Sequence, residues 1–210
     1  MFDEGFTSRV PGVAHLCGHD LHTAIGVGIA RALARSSEPI RGRMVFLFQP
    51  AEENAQGARA MLDTGLVQKL APREFYALHC SPFPTGTIVV SPGYGQPRQD
   101  HIRIVLPGGD AAAAVAADHA DRGRRGRTRR VPGWSFPAMV NSVELSTAAG
   151  RYLSAALGPE SVAWAQAAWP FNGEDFALCL NEAPGAMFYL GVADAVAGMN
   201  GAPHPRFRGR

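Results

Sequence analysis

The sequence predicts an α/β fold. Three observations lead there: a helical apolar stripe over residues 22–35, an unbroken apolar run of strand length at Met44–Phe48, and a second at Phe75–Leu78, with helix-like sequence between the two runs. Strand, helix, strand in that order stacks helices on a sheet. A chain of 210 residues, 46% apolar and 18% charged, corresponds to one domain or two small ones. It can take roughly 70% of its unfolded surface out of water without disulfide staples.

Each element has its own reason. Ile25, Ile29 and Leu33 recur every four residues with Ala30 beside them, the stripe of a half-buried helix, and Ser36, Ser37 and Pro39 stop it. Arg43 opens Met44–Phe48, which suits a central strand covered on both faces, and Pro50 ends it. A second helix is expected over Ala58–Leu66, then strands at Phe75–Leu78 and Thr87–Ser91. Residues 107–131 read as a loose segment: Ala111–Ala117 has little side chain to pack, and six Arg follow within residues 121–130. Order is expected to return at Trp134–Pro137, with a helix near Glu144–Leu157, an acidic turn at Gly173–Phe176 and a short strand at Met187–Leu190.

Composition narrows the function. A formal net charge of +2 argues against a general polyanion binder. The arginine run of residues 122–130 has no interleaved aromatics and reads as a solvated loop rather than a nucleic-acid surface. No stretch approaches the ~18 apolar residues of a membrane span, and Met1–Gly5 has neither the basic flank nor the apolar segment of a signal peptide. The expectation is a soluble, cytoplasmic protein without nucleic-acid or membrane partners. Cys17, Cys80 and Cys179 are an odd count, which speaks against a disulfide framework; Cys80 and Cys179 read as buried small side chains.

Chemistry gathers in short clusters. His15, Cys17, His19 and His22 place four potential metal donors in eight residues. Thiolate and imidazole suit zinc and other borderline divalent ions, and Gly18 lets the backbone turn so that Cys17 and His19 can face one ion. The plainer alternative is a buried thiol beside a helix start that Asp20 caps. Glu52 and Glu53 directly follow an expected buried strand, where open α/β sheets place ligands. In a strand-like segment adjacent side chains diverge, so one carboxylate can hold metal while its neighbour faces substrate; alone, such a pair is usually a solvated helix start. His79 stands at the expected end of the Phe75–Leu78 strand, a ligand candidate or a satisfied core histidine.

Taken together, these motifs resemble the aminoacylase/carboxypeptidase family of metal-dependent amidohydrolases, in the branch of hippurate hydrolases, N-acyl-amino-acid deacylases and auxin-conjugate hydrolases. The resemblance is carried by Ser8–Gly12 running into Cys17–Asp20, by Phe48–Glu53, by Leu78-His79 with Pro82 and Gly86, and by Gly173–Ala177 followed by Pro184-Gly185. It covers residues 5–100 and 132–207 in the family's order. It implies a zinc-peptidase-like sheet flanked by helices, two divalent ions (Zn2+ or Mn2+, with Ni2+ and Co2+ open), and a small N-acyl amino acid or peptide as substrate. Carried over residue by residue, Cys17, His19, Glu53 and His79 look like metal ligands and Glu52 like the general base. His204, in Pro203-His204-Pro205-Arg206-Phe207, looks like the last ligand at a spacing one residue short. His22 reads as a hydrogen-bond partner of the ligands, Asp20 as a further supporting group, and Glu174 and Asp175 as supports of the site or caps of the following helix.

The departures matter as well. Relatives insert a domain that dimerises and covers the site, whereas here His101–Leu106 begins like that domain and then dissolves into Ala and Arg. The resulting organisation is a metal-binding α/β part over 1–100, a degenerate lid remnant over 101–131, and the C-terminal part of an incomplete catalytic domain over 132–210. A homodimer stays open, with its dimerisation domain largely missing. The expected function is hydrolysis of the amide of N-acyl amino acids or small peptides by a metal-activated water; the alternative is a catalytically impaired remnant that retains metal binding or associates with a full-length relative.

Overall fold

A computed structural model describes residues 9–12, 17–105, 129–166 and 173–194, with only the backbone described for 101–105 and 129–134. Its centre is a four-stranded mixed sheet. β1 (Phe75–Pro84), β2 (Ile88–Val90), β7 (Val162–Trp164) and β8 (Gly185–Ala193) lie in the order β1-β8-β2-β7. β8 pairs parallel with β1, from Phe75 opposite Gly185 to Ser81 opposite Gly191, and antiparallel with β2, while β2 pairs parallel with β7. β8 earns its central place by being apolar almost throughout, so that it can be covered on both faces. Two ribbons accompany the sheet: β3 (Gly93–Gln96) with β6 (Met139–Asn141), and β4 (Gln99–Val105) with β5 (Arg129–Phe136).

Helices supply the covering layer. α1 (His19–Arg35) lies along β1; α2 (Gly57–Asp63), α3 (Leu66–Leu70) and the short α5 (Phe176–Cys179) close the core; α4 (Val143–Leu157) packs on β2, β7 and β8. Ala58, Leu62 and Val67 meet Phe75, Met187 and Tyr189 of the sheet and Phe176, Ala177 and Cys179 of α5. α4 starts at Ser142, whose hydroxyl accepts the Leu145 N–H, an N-cap that satisfies one orphan donor of the first turn. Asn141, fully buried, spans the layers: its amide donates to the Ser91 carbonyl and accepts from the Met187 N–H.

Several expectations change. Among the described residues, 44–48 belong to no strand or helix, and Met44 and Phe48 are each 53% exposed. An apolar run becomes a central strand only where neighbours take up its backbone N–H and C=O groups, and among the described residues β1 pairs with β8 alone. The helix expected over 58–66 is two helices, because the chain turns at Thr64, whose hydroxyl accepts the Leu66 N–H. The strand expected to stop at Leu78 continues to Pro84, putting His79 mid-strand, since β8 keeps pairing past it. α1 begins three residues early, and none of its side chains is fully buried. Of the expected loose segment, Arg129–Val131 belong to β5, paired with Arg103–Val105; residues 106–128 lie outside the described residues, as do Ser8, His15, the tract after Asp194 and, with it, His204.

Candidate metal centre

Four segments that are distant in sequence deliver the site. The Cys17-Gly18 turn leads into α1, the Glu52–Asn54 turn leads into α2, β1 carries His79, and Glu174-Asp175 lead into α5. Gly18 sits at φ 78° as the first cap of α1, and a Cβ there would lie 2.5 Å from the Cys80 sulfur. Both the left-handed backbone and the close approach call for glycine. That turn brings Cys17 Sγ to 3.7 Å from His79 Nε2.

The histidines are oriented by backbone. His79 Nδ1 lies 2.7 Å from the Cys80 carbonyl; donating there fixes the tautomer and leaves Nε2 as the free donor atom toward Cys17. His22 Nε2 accepts the Cys80 N–H at 2.9 Å, so Cys80, next to His79, is held at both its N–H and its carbonyl. The ring centroids of His22 and His79 are 4.3 Å apart. Burial first, then the neighbouring His79 and His19, pushes His22 down to about 3, which keeps it a neutral acceptor. His79 is likewise lowered, chiefly by burial.

His19 faces the two carboxylates. Its Nε2 is 3.5 Å from Glu52 Oε2 and 3.6 Å from Glu53 Oε1. The pair does not diverge as in a strand: Glu52–Asn54 form a single 3-10 turn flanked by Ala51 and Ala55, both in the left-handed region. The turn nevertheless separates them, since the Glu52 side chain is 18% exposed and that of Glu53 67%. Burial, then Glu174, Glu53 and Asp175, pushes Glu52 up to about 9. Cys17 is pushed up to about 12 by burial and then by the two glutamates.

These donors fit a divalent cation. Single ligand atoms of Cys17, His19 and His79 lie within 4.8 Å of one another, as do those of His19, Glu52 and Glu53. A thiol sulfur, two imidazole nitrogens and carboxylate oxygens make a borderline set. The proton that burial keeps on Cys17 is one that a bound cation would displace.

Asp20 is exposed in the first turn of α1, where its charge suits the helix N-terminus without capping it. Glu174 accepts the Phe176 N–H at 3.0 Å, serving α5. Asp175 instead reaches across, accepting from Gln49 Nε2 and from the Ala58 N–H. Gln49 and Cys80 were not among the sequence candidates. Cys80 stands beside His22 and His79 and donates its Sγ–H to the Cys17 carbonyl at 3.5 Å. Its place next to His79 was the available signal; for Gln49 it was the polar residue closing an otherwise apolar run.

The sequence profile of peptidase family M20/M25/M40 matches residues 2–209. The chain is 43% identical over 110 residues to an N-acetyldiaminopimelate deacetylase of Exiguobacterium sibiricum, a match taking in 51% of this chain and 29% of the relative. It is 37% identical over 117 residues to an N-acetylcysteine deacetylase of Bacillus subtilis, taking in 55% of this chain and 30% of that one. These matches therefore span about three-tenths of the curated relatives' length. The fold superposes on the Bacillus subtilis YXEP protein, a dinuclear metal binding peptidase from the M20 family, with a TM-score of 0.67 at 24% identity, covering 99% of this chain and 71% of that one. Among the described residues no helix is long and apolar enough to cross a membrane. With a family profile running over nearly its whole length and a sheet of the same architecture beneath it, the chain belongs to peptidase family M20/M25/M40.

Proposed function

We propose that this chain is a metal-dependent amidohydrolase that cleaves the amide of small N-acylated amino acids or peptides. The observation that carries the reading is a pair of donor groups sharing His19, one with Cys17 and His79 and one with Glu52 and Glu53. The deacetylase names of the relatives and the dinuclear neighbour support it.

Cys17, His19, Glu53 and His79 would hold divalent metal, Zn2+ or Mn2+ with Ni2+ and Co2+ open, and His204 is the further ligand the family resemblance assigns. Two such ions supply an acidified water and a polarised amide carbonyl. The chain's own residues do the rest. Glu52 is the more buried carboxylate of its turn and stays off the metal, so its oxygen can take a proton and hand it to the departing amine nitrogen. His79 keeps Nε2 aimed inward through its Nδ1 bond, and His22 holds the strand beneath it.

One observation favours the second reading, a chain that binds metal but turns over little substrate: in the run leading into the Glu52 turn Met44, Val45, Leu47 and Phe48 are exposed, and the run joins no strand ladder among the described residues. Reconstitution with Zn2+ or Mn2+, followed by assay of N-acetyl and N-benzoyl amino acids, decides. Metal uptake with amine release supports hydrolysis; uptake without release supports the second reading; no uptake overturns both.

A further inference from the structure

We infer that Asp175 is a positioning residue: its carboxylate clamps both ends of the segment that carries Glu52 and Glu53, and so fixes the two glutamates against His19. Asp175 is 0% exposed. Its Oδ1 accepts from Gln49 Nε2 at 2.6 Å and its Oδ2 accepts the Ala58 N–H at 2.9 Å. Gln49 is the last residue before the segment and Ala58 the second residue of α2 behind it, so one carboxylate from more than a hundred residues away closes a loop of eight.

Left to itself, that loop is poorly held. Ala51 and Ala55 have φ of 55° and 56°, a region that L-residues visit sparsely and keep only where surroundings impose it. Its internal bonds are the Ala55 N–H to the Glu52 carbonyl and the Gln56 and Gly57 N–H groups to the Ala51 carbonyl. The loop ends touch as well: a Cβ on Gly57 would lie 1.7 Å from the Pro50 oxygen and 2.8 Å from Gln49 Nε2. Only a residue without a side chain lets the ends close far enough for one carboxylate to span both.

Asp175 has no comparable duty in its own helix. It stands at the N-cap of α5 but its side chain makes no capping bond, and Glu174 accepts the Phe176 N–H instead. Its oxygens are committed to the other half of the chain, and they satisfy the buried charge through N–H donors aimed at it. The clamp thus joins the C-terminal part of the fold to the catalytic turn, and its consequence for metal rests on the amidohydrolase reading above.

The test uses the full chain with four variants. Asp175→Ala removes both acceptors, Gln49→Ala releases one end, and the double variant Asp175→Asn/Gln49→Glu reverses donor and acceptor so that both bonds can re-form. Val67→Ala, in the core on α3, controls for general loss of stability. Hydrogen exchange of the metal-free protein reads residues 50–58, and Zn2+ affinity with the visible spectrum of the Co2+ form reads the glutamates. Expected are faster exchange confined to the loop, a shifted Co2+ spectrum and Zn2+ affinity lower by ~10–100-fold, the scale of groups that orient ligands. These should appear in Asp175→Ala and Gln49→Ala, recover in the double variant, and be absent in Val67→Ala. Loop exchange at the wild-type rate in both single variants, or the same loop loss in Val67→Ala, overturns the proposal. Should Asp175→Ala not fold, Gln49→Ala decides by the same readouts. Should wild type take up neither Zn2+ nor Co2+, the metal reading falls while loop exchange still decides the clamp.

Discussion

Glu52 and Glu53 are chain neighbours with different surroundings, and the difference predicts separable roles. Glu52→Gln is expected to keep bound metal and lower turnover by ~10²-fold or more, the usual worth of a positioned proton carrier, whereas Glu53→Gln lowers metal content as well. Metal analysis beside kcat checks this, and equal metal loss in both refutes the division. The same cluster sets a pH signature in chelator-treated protein. His22 is held near 3 when folded against 6.5 as its reference value, so the unfolded chain binds the extra proton between those values, and stability is lost as pH falls from about 6.5 toward 3. Glu52 works in the opposite sense: raised to about 9 from 4.5, it favours the folded state below 4.5 and loses that contribution as pH rises toward 9. Thermal unfolding across pH should therefore show His22→Gln flattening the acid limb and Glu52→Gln the neutral-to-alkaline limb. Reversed assignments would contradict the burial described for either residue.

At the level of elements, the turn between Gln49 and α2 is the most conformationally demanding piece of the fold. A left-handed alanine costs roughly 1–2 kcal/mol; glycine removes that strain, while its greater freedom in the unfolded chain offsets roughly 0.5–1 kcal/mol of the gain. Ala51→Gly or Ala55→Gly should thus stabilise the metal-free chain by about 0.5–1 kcal/mol in denaturant unfolding; a loss would show that the alanine methyls pack. Ser142→Ala, which removes the cap of α4, should cost about 1 kcal/mol. These features mark where sequence reading reaches and where it stops. α4, α1 and the strands β1, β2 and β8 were legible because their apolar periods and bounding residues are local, and the donor-rich Cys17–His22 and Glu52-Glu53 clusters were legible because they are contiguous. The Asp175 bonds to Gln49 and Ala58 were not, because a contact across more than a hundred residues leaves no local pattern. Nor was the 3-10 turn under Glu52, since nothing in Pro50–Gln56 signals two left-handed alanines.

Across the whole molecule, apolar surface is distributed unevenly. Around α2, α3 and α5 the core is closed, with Ala58, Val67, Met187 and Tyr189 nearly or fully buried. Around α1 the balance differs: Val27 and Ile29 on the helix and Ile40, Met44, Val45 and Phe48 on the following segment are all exposed. Phe48 leans on α1, close enough that a Cβ on Gly26 would meet its ring at 3.2 Å, so the segment lies against the helix rather than in a sheet. The composition that made Met44–Phe48 read as a central strand is the same that makes it costly in water, at roughly 25 cal/mol for each Å² of apolar surface left uncovered. Exposed apolar side chains grouped in this way also favour association. The isolated chain is therefore expected to bind an environment-sensitive apolar dye and to scatter light increasingly with concentration. Met44→Ser and Phe48→Ser should reduce both signals while leaving the far-ultraviolet circular dichroism unchanged, because neither residue belongs to a strand ladder or helix. If instead either substitution unfolds the chain, the segment is part of a buried core, and the exposure described for it is wrong. Unchanged dye binding in both would place the apolar surface elsewhere on the molecule.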